Sequence, residues 1–232
     1  EVPSPNGQIQ AWPLKDLLAT NRINAGSSLP VTGAESSIAL AEIIFTSGAT
    51  ADPKGVQLTH QNILANTVPV EREILKYRKY AKPFSPIRFL NLLPLSHMFG
   101  QAMATFIPPM LSGVTVFMHG YNPSEIVNQI RKRRVSVLVC VPKMLEVLRE
   151  HIEHLAPEVR EPIEQKTPVA LRWWRYRRVH RLFGMKFWAF VVGAAPLDTR
   201  LEAFWSNLGF LVIQGYGLTE TAPIVTLNHP FR

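Results

Sequence analysis

Lys186-Phe187-Trp188-Ala189-Phe190-Val191-Val192-Gly193-Ala194-Ala195-Pro196-Leu197-Asp198 is the stretch from which the fold follows. The apolar run Phe187 to Val192 has strand length and no alternation, as a strand buried on both faces requires. Small residues then break the run. Asp198 offers an N-cap to a helix whose Leu201, Phe204, Trp205 and Leu208 share one face, and Gly209 offers its stop. Leu211 to Ile213 begin the next apolar run. Strand, helix and strand joined in this way place the two strands parallel.

The same grammar extends upstream. Glu42 to Phe45, Arg88 to Leu93, Thr115 to Met118 and Val135 to Val141 are further strand candidates. Asn122-Pro123-Ser124-Glu125 supplies an N-cap, a proline at the first helical position and an early acidic residue ahead of Ile126, Val127 and Ile130. Thr59 precedes a helix through Ile63 and Leu64, and Pro142 opens one through Met144, Leu145 and Leu148. Alternation of this kind predicts an α/β fold with a mostly parallel sheet flanked by helices. Residues 1–40, rich in Pro, Ser, Gly and Asn with one short helical candidate at Leu14 to Leu18, read as a lead-in segment; the packed domain spans residues 41–232. His154 to Pro168, polar and proline-bearing, is expected to be a mobile surface connection.

Composition narrows the classes. With 47% hydrophobic and 18% charged residues the chain is ordinary globular material, and no apolar run nears the roughly 18 residues of a membrane-spanning helix. The opening Glu1-Val2-Pro3-Ser4-Pro5 has neither initiator Met nor the basic and apolar regions of a signal peptide, so a boundary cut from a longer chain is expected there and again at Arg232. Cys140, the one cysteine, lies in an apolar run without a disulfide partner, which fits a reducing, cytoplasmic compartment. A net charge of +8 favours anionic partners without choosing among them.

Ligands of open α/β sheets sit outside the carboxyl ends of the strands, where loops and helix N-termini converge. Four unusual segments are expected in those places: Thr46-Ser47-Gly48-Ala49-Thr50-Ala51-Asp52-Pro53-Lys54-Gly55, Pro94-Leu95-Ser96-His97-Met98-Phe99-Gly100, Gly193 to Asp198, and Gln214-Gly215-Tyr216-Gly217-Leu218-Thr219-Glu220. The first combines small residues, hydroxyls and a lysine, as a polyphosphate cradle needs: close backbone N–H groups, donors and a neutralising ammonium. It is not a Walker loop, because Gly55 stands where Ser or Thr would follow the lysine.

Together these segments resemble, in order, four signature motifs of the adenylate-forming superfamily, which holds acyl-CoA synthetases, peptide-synthetase adenylation domains and luciferases. The resemblance implies a portion of the large N-terminal domain of such an enzyme. It implies a carboxylate attacking the α-phosphate of ATP to give acyl-adenylate and pyrophosphate, followed by acyl transfer to coenzyme A. On this resemblance Thr46, Ser47, Gly48, Thr50 and Lys54 would hold the β- and γ-phosphates; Gly193, Ala194, Ala195 and Pro196 would line the adenine; Tyr216, within Gln214, Gly215 and Gly217, would stack on it. Thr219 would contact the α-phosphate, Glu220 with Thr46 would position Mg2+, and His97 would stand beside the reacting carboxylate. The catalytic set is then Lys54, His97, Thr219 and Glu220. Ala49, Ala51 and Ala194 stand where the family usually has Thr, Gly and Gly, so a hydroxyl donor and some backbone latitude are lost. The family's ribose-binding aspartate and small C-terminal domain are not in this sequence, and the chain alone is expected not to complete adenylation. Met98 and Phe99 beside His97, and the run Gln214 to Val225, look most like the long-chain fatty acid branch, implying a medium or long fatty acid as substrate.

Two other readings compete. One is an adenylation domain that loads a carrier protein. The other is a basic binding module built on Arg172, Arg175, Arg177, Arg178 and Arg181 around Trp173, Trp174 and Tyr176. Those arginines spread around the whole helical circumference, so no basic face opposes an apolar one, and nucleic acid is set aside because no groove-reading motif accompanies the charge. Peripheral contact with an anionic membrane predicts co-sedimentation with anionic vesicles that falls steeply with salt; equal recovery with neutral vesicles would defeat it.

Overall fold

Residues 2–3, 9–10, 38–46, 53–76, 85–160 and 167–228 are described by the structure, a computed structural model. The chain divides into Glu1–Ser36 and Ser37–Arg232. In the first unit β1 (Val2–Pro3) pairs antiparallel with β2 (Ile9–Gln10), and the helix expected at Leu14 to Leu18 lies outside the described residues.

In the second unit five of the expected strands, joined by one that was not expected (β10), form one six-stranded sheet, ordered β10-β9-β8-β7-β5-β6. These are β5 (Arg88–Asn91), β6 (Val114–Val116), β7 (Val137–Cys140), β8 (Ala189–Val192), β9 (Leu211–Gly217) and β10 (Ile224–Leu227), parallel throughout except for β10. The sheet is buried on both faces. Phe89, Val137, Val139, Ala189 and Val191 point to one face; Leu90, Leu138, Cys140, Phe190, Val192 and Val212 point to the other. That is why β7 reads as Val-Leu-Val-Cys with no polar position. Burial pushes the Cys140 thiol far above its ordinary range, so it is inert.

Each crossover helix starts and stops where its residues allow. His60–Lys76 is α1, Met98–Gln101 α2, Ile107–Met110 α3, Pro123–Arg133 α4, Pro142–Leu155 α5, Val169–Arg175 α6, Arg177–Phe183 α7 and Thr199–Asn207 α8. Asn122 Oδ1 accepts from the backbone N–H groups of Ser124 (3.0 Å) and Glu125 (3.4 Å), and Asp198 Oδ1 from those of Arg200 (2.8 Å) and Leu201 (3.2 Å). These are the two caps expected from the sequence. Gly209, with φ of +91°, closes the end of α8 as expected. Residues of α4, α5, α7 and α8 all pack on the second face, whereas α3 and the π-helical turn Ala102–Phe106 cover the first.

Three expectations are corrected. Leu40–Thr46 (β3) is not in the parallel sheet: it forms an antiparallel hairpin with an unexpected strand, Lys54–Thr59 (β4), in register Thr46 to Lys54. Parallel pairing needs a crossover of about a dozen residues, and the short link between Thr46 and Lys54 allows only a reversal. Gln214 to Gly217 are strand rather than loop, because β10 returns along β9. His154 to Arg160 are ordered as the end of α5 and the 3₁₀ turn Pro157–Arg160, with Ala156 and Val159 buried in the core; residues 161–166 lie outside the described residues.

The basic segment also has a structural account. Arg172 Nη1 donates to the Ser206 carbonyl (2.8 Å) and Trp173 Nε1 to the Gly209 carbonyl (3.0 Å), so both satisfy backbone acceptors at the end of α8. His180 Nε2 lies 2.8 Å from the Leu208 carbonyl, an acceptor only, so this nitrogen carries the proton. Its ring stacks on Trp173 at 4.2 Å and meets Phe210 at 4.5 Å. Tyr176 is buried, whereas Trp174, Arg175, Arg177 and Arg178 are exposed.

Burial lowers the His180 pKa from its ordinary 6.5, against a smaller upward pull from the Leu208 carbonyl. The unfolded chain therefore binds more protons between the lowered folded value and 6.5, and stability falls as pH drops through that window. His180→Gln, which keeps the donor but does not titrate, is expected to flatten this loss. Thermal unfolding of both proteins from pH 7.5 to 5 measures it, and parallel curves would refute the account.

Candidate active site

The sheet creates a crevice by its order. From β5 the chain crosses to β6 on one side; from β7 it crosses to β8 on the other, so the loops leaving β5 and β7 diverge at their carboxyl ends. A cleft of about 450 Å³ opens along that edge. Leu93, Pro94 and His97 reach it from the turn after β5, Val141 from the end of β7, Ala194 from the turn after β8, and Gly215, Tyr216, Gly217, Leu218 and Thr219 from the end of β9.

Two close approaches shape this cleft. A Cβ on Gly193 would lie 2.6 Å from the Phe99 ring, which also passes within 3.5 Å of a Cβ built on Gly215. Phe99 thus rests across the ends of β8 and β9 and joins the β5 turn to them. A Cβ on Gly217 would meet the Pro223 carbonyl oxygen at 1.5 Å, so only glycine lets β10 fold back there. Neighbouring Tyr216 is 61% exposed while lining the cleft, which leaves an aromatic face open. His97 occupies the N-cap position of α2 but makes no side-chain cap hydrogen bond. Its exposed ring therefore stays available to the cleft.

The hairpin stands beside this group of loops. Its strand β4 runs against the 3₁₀ turn Thr219–Thr221. Ile44, Leu58, Ile63, Met98 and Ala222 form one buried cluster that ties the hairpin and α1 to α2 and to that turn. Gln101 Nε2 donates to Glu42 Oε2 of β3, a second link.

The sequence-derived site residues sort accordingly. His97, Ala194, Gly215, Tyr216, Gly217 and Thr219 line one cleft, and Gly193 sits beneath Phe99 next to it. Thr46 and Lys54 face each other across the hairpin register, and Lys54, Glu220, Ala195 and Pro196 are exposed without lining the cleft. Gln214 is half-buried, its N–H donating to Asn228 Oδ1 at 2.7 Å. Ser47, Gly48 and Thr50 lie outside the described residues. Asn66 and Asn228, which hold the Thr219–Thr221 turn and β9 by side-chain hydrogen bonds, were not singled out from the sequence. No local signal marks them, because their partners are distant in the chain.

A model of a family described as AMP-binding enzyme matches residues 8–232. The chain is 29% identical over 189 residues to the 4-coumarate--CoA ligase-like 6 of Arabidopsis thaliana, covering 81% of this chain and 29% of that protein. It is 26% identical over 209 residues to long chain acyl-CoA synthetase 1 of the same plant, covering 81% and 31%. The solved structure of ATP-bound MatB from Rhodopseudomonas palustris superimposes with a TM-score of 0.59 at 24% identity, over 85% of this chain and 33% of that one. The chain thus spans about a third of the length of these relatives, and the structural match bears on the fold alone.

Ala194 adopts φ of +68°, in the left-handed region. A Cβ there costs about 1–2 kcal/mol, of which glycine's extra unfolded-state entropy would offset about 0.5–1. Ala194→Gly is therefore expected to stabilise the fold by about 0.5 kcal/mol, whereas Gly217→Ala, with its 1.5 Å clash, is expected to cost several-fold more. Urea unfolding of both variants decides it; destabilisation by Ala194→Gly would contradict the strain.

Proposed function

This chain belongs to the family of AMP-binding enzymes, and from that premise we propose that it serves the ATP-dependent activation of a carboxylic acid to an acyl-adenylate, which a thiol such as coenzyme A then takes up. One observation carries the reading: the turns after β5, β8 and β9 open onto a single cleft at the reversal of the sheet. That position suits a nucleotide, because parallel strand ends and helix N-termini direct N–H groups toward it.

Within the cleft the assigned roles follow from what each group offers. The exposed ring of Tyr216 is a stacking surface for adenine, and the small residues Gly193 and Ala194 let the base approach the backbone. Thr219 offers a hydroxyl to the α-phosphate, and His97, uncommitted to capping, stands where the carboxylate would approach it. Lys54 and Thr46 at the hairpin end are assigned to the β- and γ-phosphates, together with Ser47, Gly48 and Thr50. Attack at phosphorus needs placement and charge neutralisation more than a covalent nucleophile, and these residues supply both.

Magnesium fits the donors present. Thr46 Oγ1 makes only a 3.5 Å hydrogen bond to the Lys54 carbonyl, and Glu220 adds an exposed carboxylate. A hard cation that binds through few protein oxygens, completing its shell with water and phosphate, suits such a pair. Among the described residues no cluster of three or more His, Cys, Asp or Glu offers an all-protein cage. Bound there by Glu220 and Thr46, the ion would neutralise the polyphosphate.

The acid assigned is a medium or long fatty acid. Leu93, Met98, Phe99, Val141 and Ile224 give the cleft an apolar wall, and a long chain acyl-CoA synthetase is among the similar proteins. Among the described residues no helix is long and apolar enough to cross a membrane.

In the full-length protein, acid-dependent ATP–pyrophosphate exchange is expected to favour dodecanoate over acetate at least about tenfold, since each buried methylene contributes about 0.8 kcal/mol. Tyr216→Ala is expected to weaken AMP binding, measured by calorimetry, about tenfold, while Tyr216→Phe stays near the parent. Preference for acetate or 4-coumarate would defeat the fatty acid assignment; unchanged AMP affinity in Tyr216→Ala would defeat the stacking role.

A further inference from the structure

We propose that Asn66 is a positioning residue that holds the Thr219–Thr221 turn in place, and through it the groups assigned to the α-phosphate and the metal. The inference rests on the adenylation reading only for the identity of those groups; the clamp itself stands on geometry. Asn66 lies on α1, near the hairpin, and its partners lie 155 and 158 residues further along the chain. Its Nδ2 donates to the carbonyls of Thr221 (2.8 Å) and Ile224 (2.6 Å), while Oδ1 accepts from the Ile224 N–H (3.0 Å).

This arrangement fixes the amide orientation. Two of its partners are carbonyl oxygens, which only an NH2 group can satisfy, and the third is an N–H, which only the oxygen can. Among the polar side chains, only an asparagine-like amide offers both donors and an acceptor on so short a stem. The clamp grips either side of Ala222 and Pro223, just after Thr219 and Glu220.

The turn needs such an anchor. Its side-chain bonds run from Thr221 Oγ1, whose one proton can go to the Leu218 carbonyl (2.8 Å) or the Pro223 carbonyl (2.9 Å), and from the Leu218 N–H to Thr221 Oγ1 (3.0 Å). These close the turn on itself but tie it to nothing else. Tyr216, Leu218 and Glu220 are exposed, and the pairing of β10 with β9 shifts register between Ile224 and Thr226. Ala222 in the buried cluster gives the turn depth without direction. Asn66 supplies direction, since hydrogen bonds constrain angle where apolar contact does not. Because α1 follows β4 in the chain, the same helix that continues the Lys54 hairpin also sets Thr219 and Glu220. The phosphate-binding residues assigned to the hairpin and to the turn would thus share one support.

The test compares Asn66→Ala and Asn66→Asp with Val179→Ala, a variant of the buried core on α7 that does not line the cleft, all three being first ranked by thermal unfolding. Amide exchange at Thr221 and Ala222, whose N–H groups close the turn, is expected to accelerate about tenfold or more in both Asn66 variants and to stay near the parent in Val179→Ala. In acid-dependent ATP–pyrophosphate exchange by the full-length protein, kcat/KM for ATP is expected to fall about tenfold to a hundredfold in Asn66→Ala, as misplacement by about an ångström does. Asn66→Asp at pH 8 sets a carboxylate against two carbonyls and should lose as much. Two facing carbonyls favour the protonated form of the introduced acid, which can donate once more, so its deficit relative to the parent should shrink as pH falls from 8 to 5.5 while that of Asn66→Ala stays constant. Unchanged exchange at the turn overturns the clamp, and losses no larger than those of Val179→Ala, without recovery at low pH, overturn the positioning role. A full-length parent protein inactive with every acid sinks the adenylation reading instead, and the amide exchange then decides the clamp alone.

Discussion

Burial of β5, β7 and β8 on both faces is the constraint from which the remaining architecture follows. Phe89 and Leu90, or Val137 and Leu138, are successive residues on opposite faces, and both members of each pair are buried. Neither face can meet water, so helices must cover both. Right-handed crossovers then leave the sheet in opposite directions. The change of direction falls between β5 and β7, and the divergence of their loops leaves the crevice. The cleft is a consequence of how apolar residues are distributed along three strands, and the motif residues furnish a space the core has already defined.

The second face is held by an aromatic cluster that explains why the crossovers after β7 and β8 sit where they do. Phe190 meets Trp205 at 4.6 Å and Phe187 at 5.0 Å, and Phe183 meets Trp205 edge-on at 5.9 Å. Such pairs contribute about 0.5–1.5 kcal/mol each beyond their area burial, and their preferred tilts restrict how a helix can rotate. Phe183 belongs to α7, Trp205 to α8 and Phe190 to β8, so one cluster fixes three elements. Rigidity here matters at the other end of β8, where Gly193 must stay under the Phe99 ring.

Legibility in the sequence followed the range of the interactions. Asn122 and Asp198 announced their helices because a cap acts on N–H groups two and three residues away. The parallel strands of the sheet were legible as mostly apolar runs, although their ends were not, since Leu92 and Leu93 leave β5 to make the turn into the cleft, and β10 was not read as a strand at all. Gly215, Tyr216 and Gly217 read as loop because glycine weakens a strand, yet β10 pairs along them and needs Gly217 against the Pro223 carbonyl. The hairpin was hidden for a related reason. A phosphate-loop pattern draws attention to the turn, and nothing in Lys54 to Thr59 alone says that the strand folds back on Thr46. Within the site, His97, Ala194, Gly215, Tyr216, Gly217 and Thr219 were legible by motif among the residues that line the cleft, whereas Asn66 was not, being one of many asparagines until its partners across the chain are known.

Charge was the feature most open to misreading. The arginine-rich stretch from Arg172 to Arg181 suggests a surface for anions, but its first members are spent on the fold. Arg172 and Trp173 take carbonyls at the end of α8, a helix end that otherwise leaves acceptors unpaired, and His180 takes the Leu208 carbonyl from within the core. A cation is favoured at that end by the helix dipole as well. His180 stays neutral because burial and the rings on either side leave no acceptor for a second proton at Nδ1. What remains exposed is Arg175, Arg181, Trp174 with Arg177 over its face at 5.2 Å, and Arg178 loosely paired with Glu158 at 4.0 Å. Lys54 is exposed on β4, which runs against the Thr219–Thr221 turn, and the Thr221 and Ala222 N–H groups of that turn are spent on closing it.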